Sequence, residues 1–505
     1  MLAAMPPQPP SAASRDEPVI RDRGDACPGA LRLHAADDGY LARVRIAGGL
    51  LTVRQAAALG LAADRFGDGH LELTSRGNIQ LRGLADGCGA GLAELLDGVG
   101  LLPAPSHERV RNIVASPMGG AHVVRWVREL DRLLCASSRA ADLSGRFLFA
   151  LDDGRGDVAA LDPDVTVLGR PLEEAGSGAD AGPGADAGPA PDCASRALAD
   201  AGTSAGPGSG TASGAGSGSG SGSGVSSGPG SAPGACSGSG SDGGPGAGPG
   251  LVPGGRVLVR LGGAPGAVEV GGGDAARAAL VGAEYFLDAA DAAGNRAWRV
   301  AELPDGHRLD EREFVRRLEA SGIQAVRVPE VRWPYAGPPR PWGTDGDGLC
   351  VLPPLGRLSS AQWRVLVDAA DGELRVTPWR TVILPRAHAE GPARIEASGL
   401  VLAPGSPWQS VTACTGRPGC AKSLADVRAD ARAVVKQTAG GRPVHWSGCA
   451  RRCGHPRGTA WVDLVATPDG YTLDGRPVPH ADLAAALTAA RSTTPTTTTE
   501  AAVKK

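Results

Sequence analysis

Four cysteines near the C-terminal end have the type and spacing for metal chemistry. They read Cys414-Thr-Gly-Arg-Pro-Gly-Cys420 and Cys449-Ala-Arg-Arg-Cys453. Thiolates are soft ligands, and two close pairs can wrap one soft centre, with four completing an iron–sulfur cubane. Zinc knuckles usually leave about two to four residues between paired ligands, and the first pair here is looser than that. A structural zinc and four packed thiols are the competing readings of the same residues.

The interval between the pairs must bring them back to one point. Ser423 and Asp426 form a capping-box pattern, and Leu424, Val427, Ala431 and Val434 recur at helical spacing until Gly440-Gly441. A helix there returns the second pair to the first. Upstream, a strand–helix–strand grammar occurs twice. Gly39 to Ile46 reads as a strand, Gly48-Gly49 as a turn, and Thr52 with Gln55 as a capping box opening a helix to about Arg65. Asp68-Gly69 then precedes Leu71-Glu72-Leu73-Thr74. In the second copy Asp347-Gly348 opens a strand through Val351 and Leu352, and Ser359 with Gln362 caps a helix. Asp371-Gly372 then precedes Leu374-Arg375-Val376-Thr377. Such a repeat implies two half-domains paired around a pseudo-twofold axis.

Between the copies lie an amphipathic helix carrying Val123, Val127, Leu130 and Leu134, and an apolar strand over Gly145 to Leu151. A further strand at Arg256 to Arg260 and a helix over Asp274 to Ala289 follow. Residues 174–254 are almost pure Gly, Ser, Ala, Pro and Asp, too poor in apolar surface to fold, and read as a disordered insertion. Residues 1–25 read as a disordered leader without a secretion signal, and 491–505 as a disordered tail.

Composition narrows the classes. With 505 residues there is room for two to four domains. A net charge of -3 gives no nucleic-acid footprint, and nothing approaches a membrane span. Ten cysteines without an export signal predict a reducing, cytoplasmic setting in which paired thiols mean metal. Cys135 and Cys350 fall on apolar faces as packed thiols, Cys193 and Cys236 lie in the Gly/Ser segment, and Cys27 and Cys88 carry no assigned role. No Gly-x-Gly-x-x-Gly fingerprint joins a strand to a helix, so no dinucleotide domain is expected. Three arginines, Arg76, Arg111 and Arg146, sit beside turns. Guanidinium forks bind carboxylates in a bidentate way, so together they suit a polycarboxylate.

The cysteine set, the duplication and the Thr74-x-Arg76-x-x-x-Gln80 pattern resemble the sulfite and nitrite reductases. That resemblance implies an α+β fold of two pseudo-twofold-related ferredoxin-like half-domains paired together, each followed by a larger α/β nitrite/sulfite-reductase-type domain. The implied boundaries are 26–100 and 336–400 for the half-domains, 101–335 for the first large domain and 401–490 for the cluster domain. A 4Fe-4S cluster would sit on Cys414, Cys420, Cys449 and Cys453, with the substrate on Arg76, Gln80, Arg111 and Arg146.

Within that superfamily the chain resembles the precorrin-3B synthases of the aerobic cobalamin pathway. The resemblance rests on Ala26-Cys27-Pro28-Gly29-Ala30-Leu31-Arg32, on Leu71 to Arg82 and on His445 to Pro456. One departure from the sulfite reductases supports it. Where they carry a Lys-x-Lys pair, this chain reads Arg146-Phe147-Leu148. A leucine can neither donate a proton nor neutralise an anion. The implied activity is an oxygen-dependent monooxygenase converting precorrin-3A to precorrin-3B by C20 hydroxylation and γ-lactone formation. The implied partners are precorrin-3A, dioxygen and a separate reductase or ferredoxin. A mononuclear non-haem iron is a further implied centre with unread ligands, for which His445 and His455 qualify by position alone; sirohaem is not expected. Arg451 and Arg452 could offset cluster charge. A sirohaem-dependent sulfite or nitrite reductase and a non-catalytic tetrapyrrole carrier are the alternatives.

Overall fold

Both copies of the repeat begin their helices where the punctuation sets them. The computed structural model describes residues 28–169, 255–334, 348–438, 441–456 and 460–492. The expected leader, the Gly/Ser-rich insertion, nearly all of the tail, and Cys27, Cys193 and Cys236 lie outside them. The first copy runs β1 (His34–Ala36), β2 (Gly39–Val44), β3 (Leu50–Thr52), α1 (Val53–Phe66), β4 (His70–Leu73), β5 (Ile79–Leu84) and α2 (Gly89–Asp97). Thr52 caps α1: its hydroxyl accepts from the Gln55 amide while the Gln55 side chain accepts from the Thr52 amide.

A six-stranded sheet follows, built from β6 (Ile113–Ala115), α3 (Ala121–Ala136), β7 (Phe149–Asp152), β8 (Val165–Gly169), β9 (Arg256–Leu261), β10 (Ala267–Gly271), α4 (Ala275–Ala293), α5 (Glu311–Ala320) and β11 (Ala325–Val328). Its order is β11-β10-β9-β8-β7-β6, parallel from β6 to β8 and antiparallel beyond. The expected apolar face of α3 is buried, and Trp126 joins it. The strand expected from Gly145 starts only at Phe149. Phe147 closes a turn onto the Ser144 carbonyl, and the Leu148 amide donates to Asp164, so neither amide is free for the ladder.

The second copy is β12 (Leu349–Val351), β13 (Arg357–Ser359), α6 (Ser360–Ala369), β14 (Glu373–Val376), β15 (Val382–Leu384) and α7 (Gly391–Ala397). Each copy lends a strand to the other. β3 pairs with β14, Leu51 opposite Leu374, and β13 pairs with β4, Leu358 opposite Leu71. The sheets are β1-β2-β5-β4-β13 and β12-β15-β14-β3, with a single hydrophobic core shared between them. Trp363 of α6 is fully buried there, and its indole donates to the Ala56 carbonyl of α1 at 2.7 Å. Truncating such a side chain costs about 3–5 kcal/mol, a large fraction of a domain's net stability. The halves are thereby welded into one body.

The last sheet holds the cysteines. It comprises β16 (Val411–Ala413), α8 (Val427–Val434), β17 (Val444–Ser447), β18 (Val462–Thr467), β19 (Gly470–Leu473), β20 (Arg476–Pro479) and α9 (Leu483–Ser492), ordered β16-β17-β18-β19-β20. The helix between the cysteine pairs starts later than its sequence pattern implies. Asp426, not Ser423, is its cap, accepting from the Ala429 amide, while Ser423 donates to the Ala425 carbonyl. Leu424 is therefore outside the helix and 42% exposed, while Val427, Ala431 and Val434 are buried as expected. Among the described residues no helix is long and apolar enough to cross a membrane.

Candidate metal and tetrapyrrole site

Parallel pairing explains why the two thiol pairs meet. β16 and β17 run side by side with Ala413 opposite Trp446, so both strands end at the same edge of the sheet. Cys414 follows the first strand and its amide donates to the Trp446 carbonyl at 2.9 Å; Cys449 and Cys453 follow the second. α8 is the crossover between them. Burial pushes the Cys453 thiol up, and the Cys414, Cys449 and Cys420 thiols add to the effect. The Gly448 amide donates to the Cys414 sulfur at 3.1 Å. A Cβ at Gly448 would lie 1.9 Å from the Ser423 hydroxyl, so only glycine lets the two cysteine loops pack. Three half-buried thiols and an exposed one, with a backbone donor already aimed at a sulfur, fit a thiolate-held cluster.

A buried charge network locks this region to the half-domains. Glu72 of β4 is 8% exposed and bonds Arg428 of α8 and the Gln80 side chain. Burial pushes its carboxyl up, but Arg428, Arg82 and Arg357 outweigh that and hold it below its ordinary value. Arg428 also donates to the Cys414 carbonyl at 3.1 Å. Arg82 forks onto Asp38 and donates to the Gly419 carbonyl at 2.7 Å. First half-domain, second half-domain and cysteine loops thus meet at one carboxylate.

Two of the expected substrate contacts, Gln80 in this network and Arg111 outside it, have partners within the protein. Gln80 is buried, its amide spent on Glu72 and its oxygen on Arg43. Arg111 is 4% exposed, forks onto Asp131 at 2.7 and 2.8 Å and donates to the Leu101 carbonyl. The polar atoms of both have partners inside the protein. Arg76 and Arg146 lie side by side elsewhere. Arg76 is half-buried and reaches the carbonyl of Gly145, the residue before Arg146. Arg146 is exposed, with its guanidinium 4.7 Å from the centre of the Trp298 ring. The fold brings these two to one edge. Arg76→Ala is expected to weaken binding of a polycarboxylate macrocycle about tenfold while leaving iron content unchanged; fluorescence titration with iron analysis checks both.

The turns that join β4 to β5 and β14 to β15 match bond for bond. In the first, Gly77 donates to the Thr74 carbonyl and Thr74 to that of Asn78; in the second, Arg380 donates to Thr377 and Thr377 to Thr381. Gly77 has φ 66° and Arg380 φ 60°. Trp379 packs against the cluster of Val114, Leu148, Ala150 and Val158, in which Leu148 is 3% exposed. Arg380 escaped the sequence reading, although the alignment of Thr377 with Thr74 places it on the same turn.

Both ring nitrogens of His445 have partners inside the protein. Its Nε2 donates to the Cys453 carbonyl at 3.1 Å and its Nδ1 faces the Thr412 hydroxyl at 2.8 Å. Burial, with Arg380 next in weight, lowers its pKa to about 3, so it is a neutral strut. His455 is exposed and stacks on Trp461. Arg452 pairs with Asp463, while Arg451 is exposed.

Asp152, Asp153 and Asp157 also cluster, with oxygens within 4.8 Å of one another. Asp152 accepts from four backbone amides and Arg155 holds Asp153, so the group staples the turn after β7. Burial, with Asp152 next in weight, pushes the Asp157 carboxyl up to about 7. A raised carboxyl pKa stabilises the fold below the unfolded value and loses that contribution as pH rises through the folded one. Asp157→Asn is therefore expected to raise the melting temperature at pH 8, by the equivalent of roughly 2 kcal/mol, and to change little near pH 4.5. Melting curves at the two pH values check this.

Comparison with known proteins agrees with the geometry. The family described as the nitrite/sulfite reductase ferredoxin-like half domain matches residues 34–96 and 343–396. These two stretches are therefore similar to the ferredoxin-like half domains of nitrite and sulfite reductases. The structure of the Mycobacterium tuberculosis NirA protein shares the fold, with a TM-score of 0.54 at 18% identity over 86% of this chain and 73% of that one. In particular, the chain is similar to a precorrin-3B synthase from Sinorhizobium sp, 46% identical over 67 residues, 13% of this chain and 15% of that protein. It is also similar to a ferredoxin--nitrite reductase from Synechococcus elongatus, 34% identical over 128 residues, 23% of this chain and 25% of that one. The matched stretches span a quarter or less of these curated relatives. None of these comparisons supports the expected absence of sirohaem.

Proposed function

We propose that the protein is an oxygen-dependent monooxygenase of aerobic cobalamin biosynthesis that converts precorrin-3A to precorrin-3B. The observation that carries this reading is Leu148. At the position where the sulfite reductases resembled here place a lysine, the side chain is apolar and lies under Trp379. Reduction of a small oxyanion needs protons and positive charge at that point, and this wall supplies neither. Hydroxylation of a carbon on a macrocycle tolerates an apolar wall and gains from its exclusion of water. Arg76 and Arg146 would take substrate carboxylates and fix the ring. A 4Fe-4S cluster on Cys414, Cys420, Cys449 and Cys453 supplies single electrons when bound. In the overall balance one oxygen atom enters the substrate at C20 and the other leaves as water, with two electrons and two protons from a separate reductase or ferredoxin.

Anaerobic incubation of the iron-loaded protein with precorrin-3A, followed by dioxygen and a reductant, tests the proposal. The product should gain one oxygen atom in mass and change its absorption. Tetrapyrrole recovered unchanged while the cluster stays intact would favour a carrier. The similarity to a ferredoxin--nitrite reductase favours a second reading, a sirohaem-dependent sulfite or nitrite reductase. Stoichiometric sirohaem, with strong red absorption bands in the purified protein, would establish that one in its place.

A further inference from the structure

We propose that Arg380 is a carboxylate-binding residue, holding an acidic side chain of the macrocycle directly beside the last cysteine loop. This inference rests on the tetrapyrrole reading above. Three independent features of the chain lead to it. The first is backbone conformation. Arg380 occupies the left-handed region at φ 60°, on a turn whose other copy uses Gly77 at φ 66°. Side chains with a Cβ rarely adopt this region, and where they do the strain clusters at functional positions. The fold has a strain-free solution for this turn and uses it in the first half only.

The second feature is the path of the side chain. It crosses Gly356, where a Cβ would lie 2.7 Å from the arginine Cδ, and reaches Gly454, where a Cβ would lie 3.1 Å from Nη2. Two glycines with positive φ therefore clear a channel from the second half-domain to the residue after Cys453. The third feature is charge. Arg380 makes no ion pair among the described residues, and its guanidinium has the Gly454 carbonyl at 3.3 Å. Glu72 is already committed to Arg428. Desolvation and then Arg428 disfavour the charged form of Arg380, with Glu72 giving back only part. A strained, half-buried cation aimed between glycines, with its neighbouring carboxylate already spent, is arranged for an anion that arrives from outside. Trp379, one residue earlier, forms the apolar wall over Leu148, so the same turn offers a flat surface and a cation side by side. That pairing matches a flat ring with carboxylates on its rim.

The test uses the iron-loaded full chain under anaerobic conditions. Uroporphyrin III, a stable octacarboxylate macrocycle, is titrated against wild type, Arg380→Gly and Arg380→Lys by fluorescence. The glycine variant should bind about tenfold or more weakly, and the lysine variant should recover part of the loss. Because glycine suits this conformation, Arg380→Gly should also keep its melting temperature or gain a few degrees, with unchanged iron and sulfide. Wild-type affinity in Arg380→Gly overturns the inference, as does a shift of the cluster midpoint potential with no change in affinity. A fall in melting temperature of more than about 5 °C would assign Arg380 to the fold alone. Wild type that binds no uroporphyrin overturns the tetrapyrrole reading itself, which separates the two failures. Should the glycine variant lose its iron, Arg380→Gln replaces it in the same comparison.

Discussion

On the proposed cluster assignment, replacing Cys414 with serine is expected to abolish iron binding. The expected result is a fall from about four iron and four acid-labile sulfide per chain to near zero, with most of the soluble yield lost as well. Two facts make the effect large. The sulfur of Cys414 receives the Gly448 amide, and its backbone ties β16 to β17 through the Trp446 carbonyl. Serine keeps the shape but is a poor ligand for iron, and a cubane held by three thiolates is prone to loss. Cys420→Ser should behave the same way, because its neighbours tie the loop to the first half-domain only through the Gly419 carbonyl, which accepts from Arg82, and the Ala421 amide, which donates to Asp37. Iron and sulfide analysis with an anaerobic absorption spectrum measures this. Wild-type content in either variant would remove these cysteines from the centre.

Glu72→Gln is the second large effect, and it touches no cysteine. The carboxylate is buried under three arginines contributed by two half-domains and α8. Removing its charge leaves Arg428, Arg82 and Arg357 repelling one another in a poorly solvated space. Breaking a buried pair from one side costs about 3–5 kcal/mol, enough to unfold a marginal domain. Denaturant melts should show that loss, with iron released at lower denaturant than in wild type. Arg428→Met in the same background should return part of it, because the cation left behind causes much of the damage. A single variant as stable as wild type would show that these arginines find solvent instead.

How much of this was legible beforehand can be followed residue by residue. Thr52, Gln55, Ser359 and Gln362 announced both helix starts, since a capping box is local chemistry and needs no tertiary partner. The cysteine pairs carried the expectation of a metal, because ligand type and spacing are also local. Arg111 and Gln80 were legible only as polar side chains; their partners, Asp131 and Glu72, arrive from other parts of the chain. Ser423 misled: its hydroxyl closes a turn with Ala425, and the cap moved to Asp426.

By itself the sequence determined the duplication, the α+β class, the amphipathic helix α3 and the four thiols. Each of these is written in residue identity and short-range period. Only the tertiary structure decided that the halves exchange strands, that Glu72 gathers three arginines, that Trp379 packs on the cluster holding Leu148, and that Arg380 reaches the Gly454 carbonyl. Those outcomes depend on which distant side chains arrive at one place, and pairing across hundreds of residues leaves no periodic trace in the chain.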